Sequence, residues 1–262
     1  MRPHPALVDK MEDIYSHITP VIIVKNGAPF IQRTLDSLAD FHQVVIYDNG
    51  STDNTPSLVK AYANVKLVQG EFLGFGPTKN AAASHAQTDW VLSLDIDESV
   101  TPTLLKALQN WPLDNPAHVG EILRDNYFCG MHIRTNGWGN DWLCRLYNKQ
   151  QHRFTDSAVH EKLQLTDQSK IQRLEGNLEH QAITDVAQML NKAQHYSELY
   201  AQSDKARLYP FPIIILKSIF GFFRSYLLKA GIASGSRGFI IAVGEAIGVF
   251  YKYTKVYQRK RF

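Results

Sequence analysis

Short apolar runs separated by polar turns fill the first 110 residues. Val21-Ile22-Ile23-Val24 is too short for a helix and rich in β-branched residues, which predicts a buried strand. Asn26-Gly27-Ala28-Pro29 then turns the chain, and Ile31, Leu35 and Leu38 follow at helical spacing. The alternation repeats as a strand at 44–47, a loop at 48–56, a helix over 56–63 and a strand at 65–68. Ser51 or Thr52 is placed to cap that helix, and Asp53 and Pro56 suit its first turn. A Gly-rich loop from Gly70 to Gly76 precedes a helix over 78–86. A strand at 90–94 ends in Asp95-Ile96-Asp97-Glu98, and Pro102 opens a further helix. Strand–helix alternation of this kind predicts an α/β fold with a mostly parallel, doubly wound sheet flanked by helices. The fixed hand of βαβ crossovers puts the loops after 21–24, 44–47 and 90–94 on one edge of that sheet.

Beyond a Pro-bounded linker at 112–116 the pattern changes. Residues 119–123 and 162–165 read as strands of a mixed extension, with the polar-aromatic stretch Asn136-Gly137-Trp138-Gly139-Asn140-Asp141-Trp142 between them. Residues 185–206 are expected to be helical. From there on the chain differs in kind: Ile213 to Leu228 and Phe239 to Tyr257 are strongly apolar but punctuated or bounded by Lys217, Arg224 and Lys229, and the second segment runs into Gln258-Arg259-Lys260-Arg261. This predicts one domain over 18–204 and a helical, membrane-associating region over 205–262.

Charge sharpens that division. The formal net charge is +3, yet residues 205–262 hold eleven Lys and Arg against Glu245 alone, a net +10 that leaves −7 for residues 1–204. Basic residues interleaved with Ile, Phe and Leu fit a helix lying on acidic lipid headgroups better than a nucleic-acid surface. No uncharged apolar run reaches the roughly 18 residues of a spanning helix, and Met1 to Pro20 has no signal-peptide core. Cys129 and Cys144 form no disulfide framework, which points to a reducing compartment. The expected location is therefore cytoplasmic, peripheral on the inner face of the cytoplasmic membrane.

The two acidic strand exits carry the candidate chemistry. Carboxylates at i and i+2 past a strand project the same way, so Asp95 and Asp97 are placed to share one hard cation, Mg²⁺ or Mn²⁺, which would neutralise a diphosphate leaving group. Asp48-Asn49-Gly50-Ser51 reads either as an Asx turn or as a site where Asp48 accepts from a nucleobase imide N–H. Lys79 and Asn80 follow the Gly-rich loop, where a lysine can approach phosphates. His160-Glu161 is either a metal ligand with a base or a structural pair, and His180 has the same two readings. Trp138 and Trp142 are more often core residues than sugar platforms. The first strand is not followed by G-x-G-x-x-G, which excludes a dinucleotide fingerprint there, and no P-loop lysine motif occurs.

Val21–Asn26, Val44–Asp53, Phe75–Asn80 and Leu92–Glu98 together resemble the opening strand, D-x-G-S-T-D turn, R/K-N helix start and D-x-D motif of the inverting family 2 glycosyltransferases of GT-A fold. The chain is more closely similar to lipopolysaccharide inner-core β-1,4-glucosyltransferases. The carriers are Gly74-Phe75-Gly76-Pro77-Thr78-Lys79-Asn80, Leu94–Glu98, Gly137-Trp138-Gly139-Asn140-Asp141 with Arg145-Leu146, and Val159-His160-Glu161. The chain departs from that pattern where Gly27-Ala28 replaces a Glu-Glu pair and Asn136-Gly137 replaces paired glycines.

The resemblance implies transfer of a hexose, glucose by preference, from a UDP-sugar to a heptose of the lipopolysaccharide core, a lipid-linked saccharide acceptor at the inner-membrane surface. It implies Asn26, Asp48, Gly50, Ser51, Lys79, Asn80 and Asp95 as donor-binding residues, and Asp95, Asp97 and His160 as metal ligands. Asp141 is the preferred base with Glu161 its rival, and Arg145, counted one helical turn after Asp141, orients the base or meets acceptor phosphates. Two alternatives stay open: transfer to polyprenyl phosphate, and a non-catalytic nucleotide-sugar-binding protein on the membrane surface.

Overall fold

The computed structural model describes residues 13–156 and 161–262, and its contacts divide the chain into two compact units. The first runs through Arg124 and resumes over Trp142–His180; the second comprises Asp125–Asp141 and Gln181–Phe262.

The first unit is built on β1 (Ile18–Val24), α1 (Ile31–Asp36), β2 (Val44–Asp48), α2 (Thr55–Val59), β3 (Val65–Gln69), α3 (Phe75–Ser84) and β4 (Trp90–Asp95). Then follow β5 (Glu98–Val100), α4 (Pro102–Leu108) and β6 (His118–Phe128), with β8 (Trp142–Asn148) and β9 (Lys170–Ile183) after the short β7 (Met131–His132). Among the described residues these strands make a nine-stranded sheet of order β3-β2-β1-β4-β8-β6-β9-β5, with β7 on β6. It is parallel across β3-β2-β1-β4, while β4–β8, β8–β6 and β5–β9 are antiparallel. The expected α/β architecture is present, with its parallel half where the apolar runs alternate with helices.

Period-2 packing explains why the parallel half holds its register. Ile18, Ile22 and Val24 of β1, Ile46 of β2 and Leu92 and Leu94 of β4 face a core shared with Ile31, Leu35, Leu104 and Trp111. Val21, Val45, Tyr47 and Val91 face the other side, against Ala82, Ala83 and Ala86. A one-residue slip would exchange the two sets.

Three elements depart from expectation. Residues 162–165 form no strand; Leu163 makes a single antiparallel bridge with Phe154. Trp142–Asn148 is a strand, because Leu146 and Tyr147 fill opposite cores. The 14-residue β9 begins with the exposed Lys170, Ile171, Gln172 and Arg173, so its polar start hides it from any periodicity argument.

The second unit holds α5 (Val186–Gln202), α6 (Phe211–Phe223) and α7 (Gly235–Arg261) beside the β6–β7 hairpin. Asp185 caps α5 by accepting from the backbone N–H of Gln188. Phe128, Ile133, Ile183 and Ile241 make its small core, with Trp138 and Met189 packed against it. Ser218 Oγ donates to Ala246 O at 2.6 Å and Phe222 meets Phe239 edge-on, which fastens α6 along α7. Counted with their embedded charges, Phe211–Leu228 and Gly231–Arg261 are long and apolar enough to cross a membrane by length and composition. Leu216, Phe220, Phe223, Leu227 and Leu228 are all at least half exposed or nearly so, Leu228 at 75%.

Candidate active site

Backbone register assembles the candidate site before any side chain is considered. Val24 pairs with Asp48 and Ile23 with Asp95, so the carboxyl ends of β2 and β4 flank the end of β1. Two parallel-strand spacings separate the two aspartates, roughly 10 Å.

The loop after β1 is clamped to the loop after β2. Asn26 sits at φ 58°, its N–H donates to Ser51 Oγ at 2.8 Å, and its Oδ1 accepts from the N–H of Thr52 at 2.8 Å and of Asp53 at 3.3 Å. Gly27 N–H donates to Thr55 Oγ1 at 2.8 Å and Ala28 N–H to Asp53 Oδ2 at 3.1 Å. The Thr55 hydroxyl bonded to Asp53 holds that carboxyl below the usual carboxylate range. Asn26 and Ser51 thus build the edge from within. Asp48 is buried, and its Oδ1 accepts from the N–H of Gly50 at 3.2 Å and of Ser51 at 2.8 Å, an Asx turn that Gly50 completes at φ 98°. Among the described residues Asp48 Oδ2 takes no hydrogen bond.

α3 brings Lys79 in edge-first. A Cβ on Gly76 would lie 1.8 Å from Thr155 O, so only glycine lets the helix approach the backbone there. Asn80 locks the same contact from both ends: Nδ2 donates to Phe154 O at 2.9 Å and Oδ1 accepts from Phe154 N–H at 2.8 Å. Asn80 is therefore a clamp in this structure. Lys79, 4% exposed, lies over the Phe154 ring with Nζ 3.0 Å from Asp95 Oδ1 and 2.8 Å from Glu161 Oε1.

Arg145 completes a charge network that the sequence reading assigned elsewhere. It lies on β8, not on a helix, so the turn-counting from Asp141 fails; its Nη2 is 2.6 Å from both Asp95 Oδ2 and Glu98 Oε1. Glu98 is fully buried and also accepts from Asp95 N–H at 2.9 Å and Arg124 Nη1 at 3.3 Å. Lys79, Arg124 and Arg145 thus face Asp95, Glu98 and Glu161, three charges against three. Burial opposes ionisation of Asp95, but Arg145 and Lys79 overcome it and hold that carboxyl well below its usual range. Burial likewise disfavours charge on Arg145, and Asp95 and Glu98 raise its pKa instead. Arg124 went unnoticed in the sequence. The available signal was a charged residue inside the apolar runs of β6 and β8, which demands a buried partner.

Residues 19–164 match the sequence profile of Glycosyl transferase family 2. This chain belongs to that family. Among family relatives, an uncharacterized glycosyltransferase of Rickettsia typhi is 25% identical over 257 residues, covering 91% of this chain and 86% of its own. The lipopolysaccharide core biosynthesis glycosyltransferase LpsC of Rhizobium meliloti is also 25% identical, over 250 residues and 92% of each chain. Of solved structures, S. aureus TarS 1–349 in complex with UDP aligns with a TM-score of 0.47 at 16% identity, over 94% of this chain and 92% of that one.

For a family 2 glycosyltransferase the remaining residues fall as follows. Asp97 Oδ2 lies 3.3 Å from His180 Nε2, a carboxylate–imidazole donor pair of the kind divalent transition metals accept. Both oxygens of Asp95 are engaged by Lys79 and Arg145, and no group of three or more potential ligands gathers among the described residues. His160 lies outside the described residues. Asp141 belongs to the second unit, where its Oδ2 accepts from Asn126 Nδ2 at 3.2 Å. Trp138 packs on Phe128 in the core of that unit, as expected for a core tryptophan.

Proposed function

We propose that the protein transfers a hexose from a UDP-sugar to a lipid-linked saccharide with inversion at the anomeric carbon. The observation that carries this reading is the strand register that sets Asp48 and Asp95 on either side of the end of β1, in a chain of this family. Asp48 Oδ2, free of the turn, accepts from the uracil imide N–H. Lys79 stands beside Asp95 at the same edge and turns its charge to the leaving diphosphate. Asp97 would hold a divalent cation, which would supply Lewis-acid neutralisation of that leaving group.

In a single displacement the acceptor oxygen bonds to the anomeric carbon as the bond to the diphosphate oxygen breaks, and a carboxylate takes the hydroxyl proton. Asp141 is that base. Glu161 is already committed to Lys79 in the donor half, which supports the assignment. Arg145 acts through Asp95 and Glu98 as a positioning residue, in place of orienting the base or meeting acceptor phosphates as expected from sequence.

The acceptor is a heptose of the lipopolysaccharide core and the sugar is glucose. Glucose and heptose follow from the motif resemblance alone, while two features support a membrane-borne lipopolysaccharide acceptor: LpsC, a relative of full-length coverage, is a lipopolysaccharide core glycosyltransferase, and residues 205–262 join net +10 charge to exposed Phe, Leu and Ile. Embedded Arg224, paired with Glu245, and Lys217, 4.5 Å above the Tyr209 ring, favour helices that lie on the cytoplasmic face of the membrane rather than cross it. The triple substitution Phe220→Glu, Phe223→Glu and Leu228→Glu is expected to lower co-sedimentation with anionic vesicles about tenfold or more. Unchanged vesicle binding would remove the membrane role of α6.

The deciding experiment incubates purified protein with UDP-glucose, UDP-galactose and UDP-GlcNAc, truncated lipopolysaccharide or polyprenyl phosphate, and Mn²⁺ or EDTA. Mass spectrometry should show one added hexose on lipopolysaccharide, dependent on the cation. Addition to polyprenyl phosphate alone would replace the acceptor, and UDP binding without transfer would make the protein a sensor.

A further inference from the structure

The loop at 133–141, which ends on Asp141, is built on the C-terminal helices through one buried side chain. Asn136 is 2% exposed and sits at φ 57°. Its N–H donates to Lys229 O at 2.8 Å, and the two hydrogens of its Nδ2 are used by Ser225 Oγ at 2.9 Å and Gly238 O at 3.0 Å. Its Oδ1 accepts from Thr135 Oγ1 at 2.9 Å, and that hydroxyl lies 2.7 Å from Ser234 Oγ. Every polar atom of the side chain is thereby satisfied: Nδ2 by Ser225, between α6 and α7, and by Gly238 in α7, and Oδ1 by Thr135 within the loop.

The far end of the loop is held by a second asparagine. Asn126, 6% exposed, donates from Nδ2 to Trp138 O at 3.1 Å and to Asp141 Oδ2 at 3.2 Å. Between the two asparagines, Trp138 packs into the cluster of Phe128, Ile133, Ile183 and Ile241. Hydrogen bonds at both ends, with the packed Trp138 between them, therefore connect the C-terminal helices to the Asp141 carboxylate, entirely inside the second unit.

The end of α6 and the segment connecting it to α7 also carry protruding apolar side chains. Phe223 is 49% exposed, Leu227 51%, Leu228 75% and Ile232 57%, with Arg224, Lys229 and Arg237 among them. Apolar tips ringed by cations match an anionic lipid surface, into which the tips sink while the cations meet headgroups.

We infer that Asn136 is a positioning residue that passes lipid engagement of residues 223–232 to the loop bearing Asp141, so that turnover rises on a lipid surface. This rests on the reading of Asp141 as base, and the test separates the two. Hydrogen–deuterium exchange is measured on the full chain with and without vesicles of phosphatidylethanolamine and phosphatidylglycerol. Vesicles should slow exchange across 133–141 about tenfold in the wild type and less than about twofold in Asn136→Gly, which keeps the positive φ and loses only the side chain. With a deacylated, water-soluble core acceptor, vesicles should raise wild-type kcat and leave that of Asn136→Gly unchanged, although both bind vesicles equally. Should Asn136→Gly not fold, Ser225→Ala, which deletes a single bond, is expected to give a partial loss of both responses. Exchange in the wild-type loop that vesicles do not alter, or equal responses in wild type and variant, would overturn the coupling. An active Asp141→Asn with the exchange response intact would overturn only the base assignment.

Discussion

Asp141→Asn is expected to lower kcat about 10²–10⁴-fold, the range for loss of a general base, while leaving UDP affinity within about twofold. The amide keeps the size of the side chain and its contact with Asn126, so the fold of the loop survives and only proton acceptance is lost. Glu161→Gln should behave differently. Glu161 accepts from Lys79 in the donor half, so its replacement frees that lysine and is read mainly in donor KM. The pair of variants discriminates by the kind of defect. If Glu161→Gln loses kcat with KM unchanged while Asp141→Asn stays active, the base is Glu161.

Arg145→Met should be the most destabilising substitution in the first unit. It leaves Glu98, fully buried, and Asp95 without their shortest cationic partner, and removing one member of a buried ion pair costs about 3–5 kcal/mol. Arg124 at 3.3 Å from Glu98 and Lys79 at 3.0 Å from Asp95 stay in place, which favours the lower end of that range. At the sensitivity usual for a domain of this size, the melting temperature falls by about 6–12 °C. Arg145→Met combined with Glu98→Leu should recover part of the loss, because both charges of the pair are then gone. Urea unfolding of the three proteins measures this directly, and an Arg145→Met variant within about 0.5 kcal/mol of wild type would refute the network.

The same network fixes an acid dependence. Asp95 has its folded pKa lowered, so the stability it contributes is present above its unfolded value, about 3.9, and disappears as pH falls toward the lower folded value. Arg145→Met removes the strongest cause of that lowering, and its stability should therefore decline less steeply below about pH 4 than that of the wild type.

What the sequence disclosed was set by locality. β1, β2 and β4 are short β-branched runs closed by polar turns, so both the strands and the edge they share follow from periodicity and crossover hand. β9 was invisible because its exposed, polar first half is held by pairing with segments far away in the chain. At the site, residue type located the right loops but not the jobs inside them. Asn26 and Asn80 sit at motif positions and spend their amides on backbone groups of 52–53 and 154. Asp48 is both an Asx turn and a candidate ligand, one oxygen to each. Arg145 needed strand parity rather than helical counting to reach Asp95. The engagement of both Asp95 oxygens by cations depends on side chains from α3 and β8 meeting one strand end, which no spacing within Asp95-Ile96-Asp97 reveals.

Calorimetric titration of UDP in the presence of Mn²⁺, on wild type, Asp48→Ala and Asp97→Asn, bears most directly on the claim that this strand edge holds a nucleoside diphosphate. Saturable one-to-one binding is expected for the wild type, with about tenfold or greater weakening in Asp48→Ala and loss of the Mn²⁺ dependence in Asp97→Asn. Folded wild-type protein that gives no heat with UDP, or that binds it equally well in all three forms, would contradict the account.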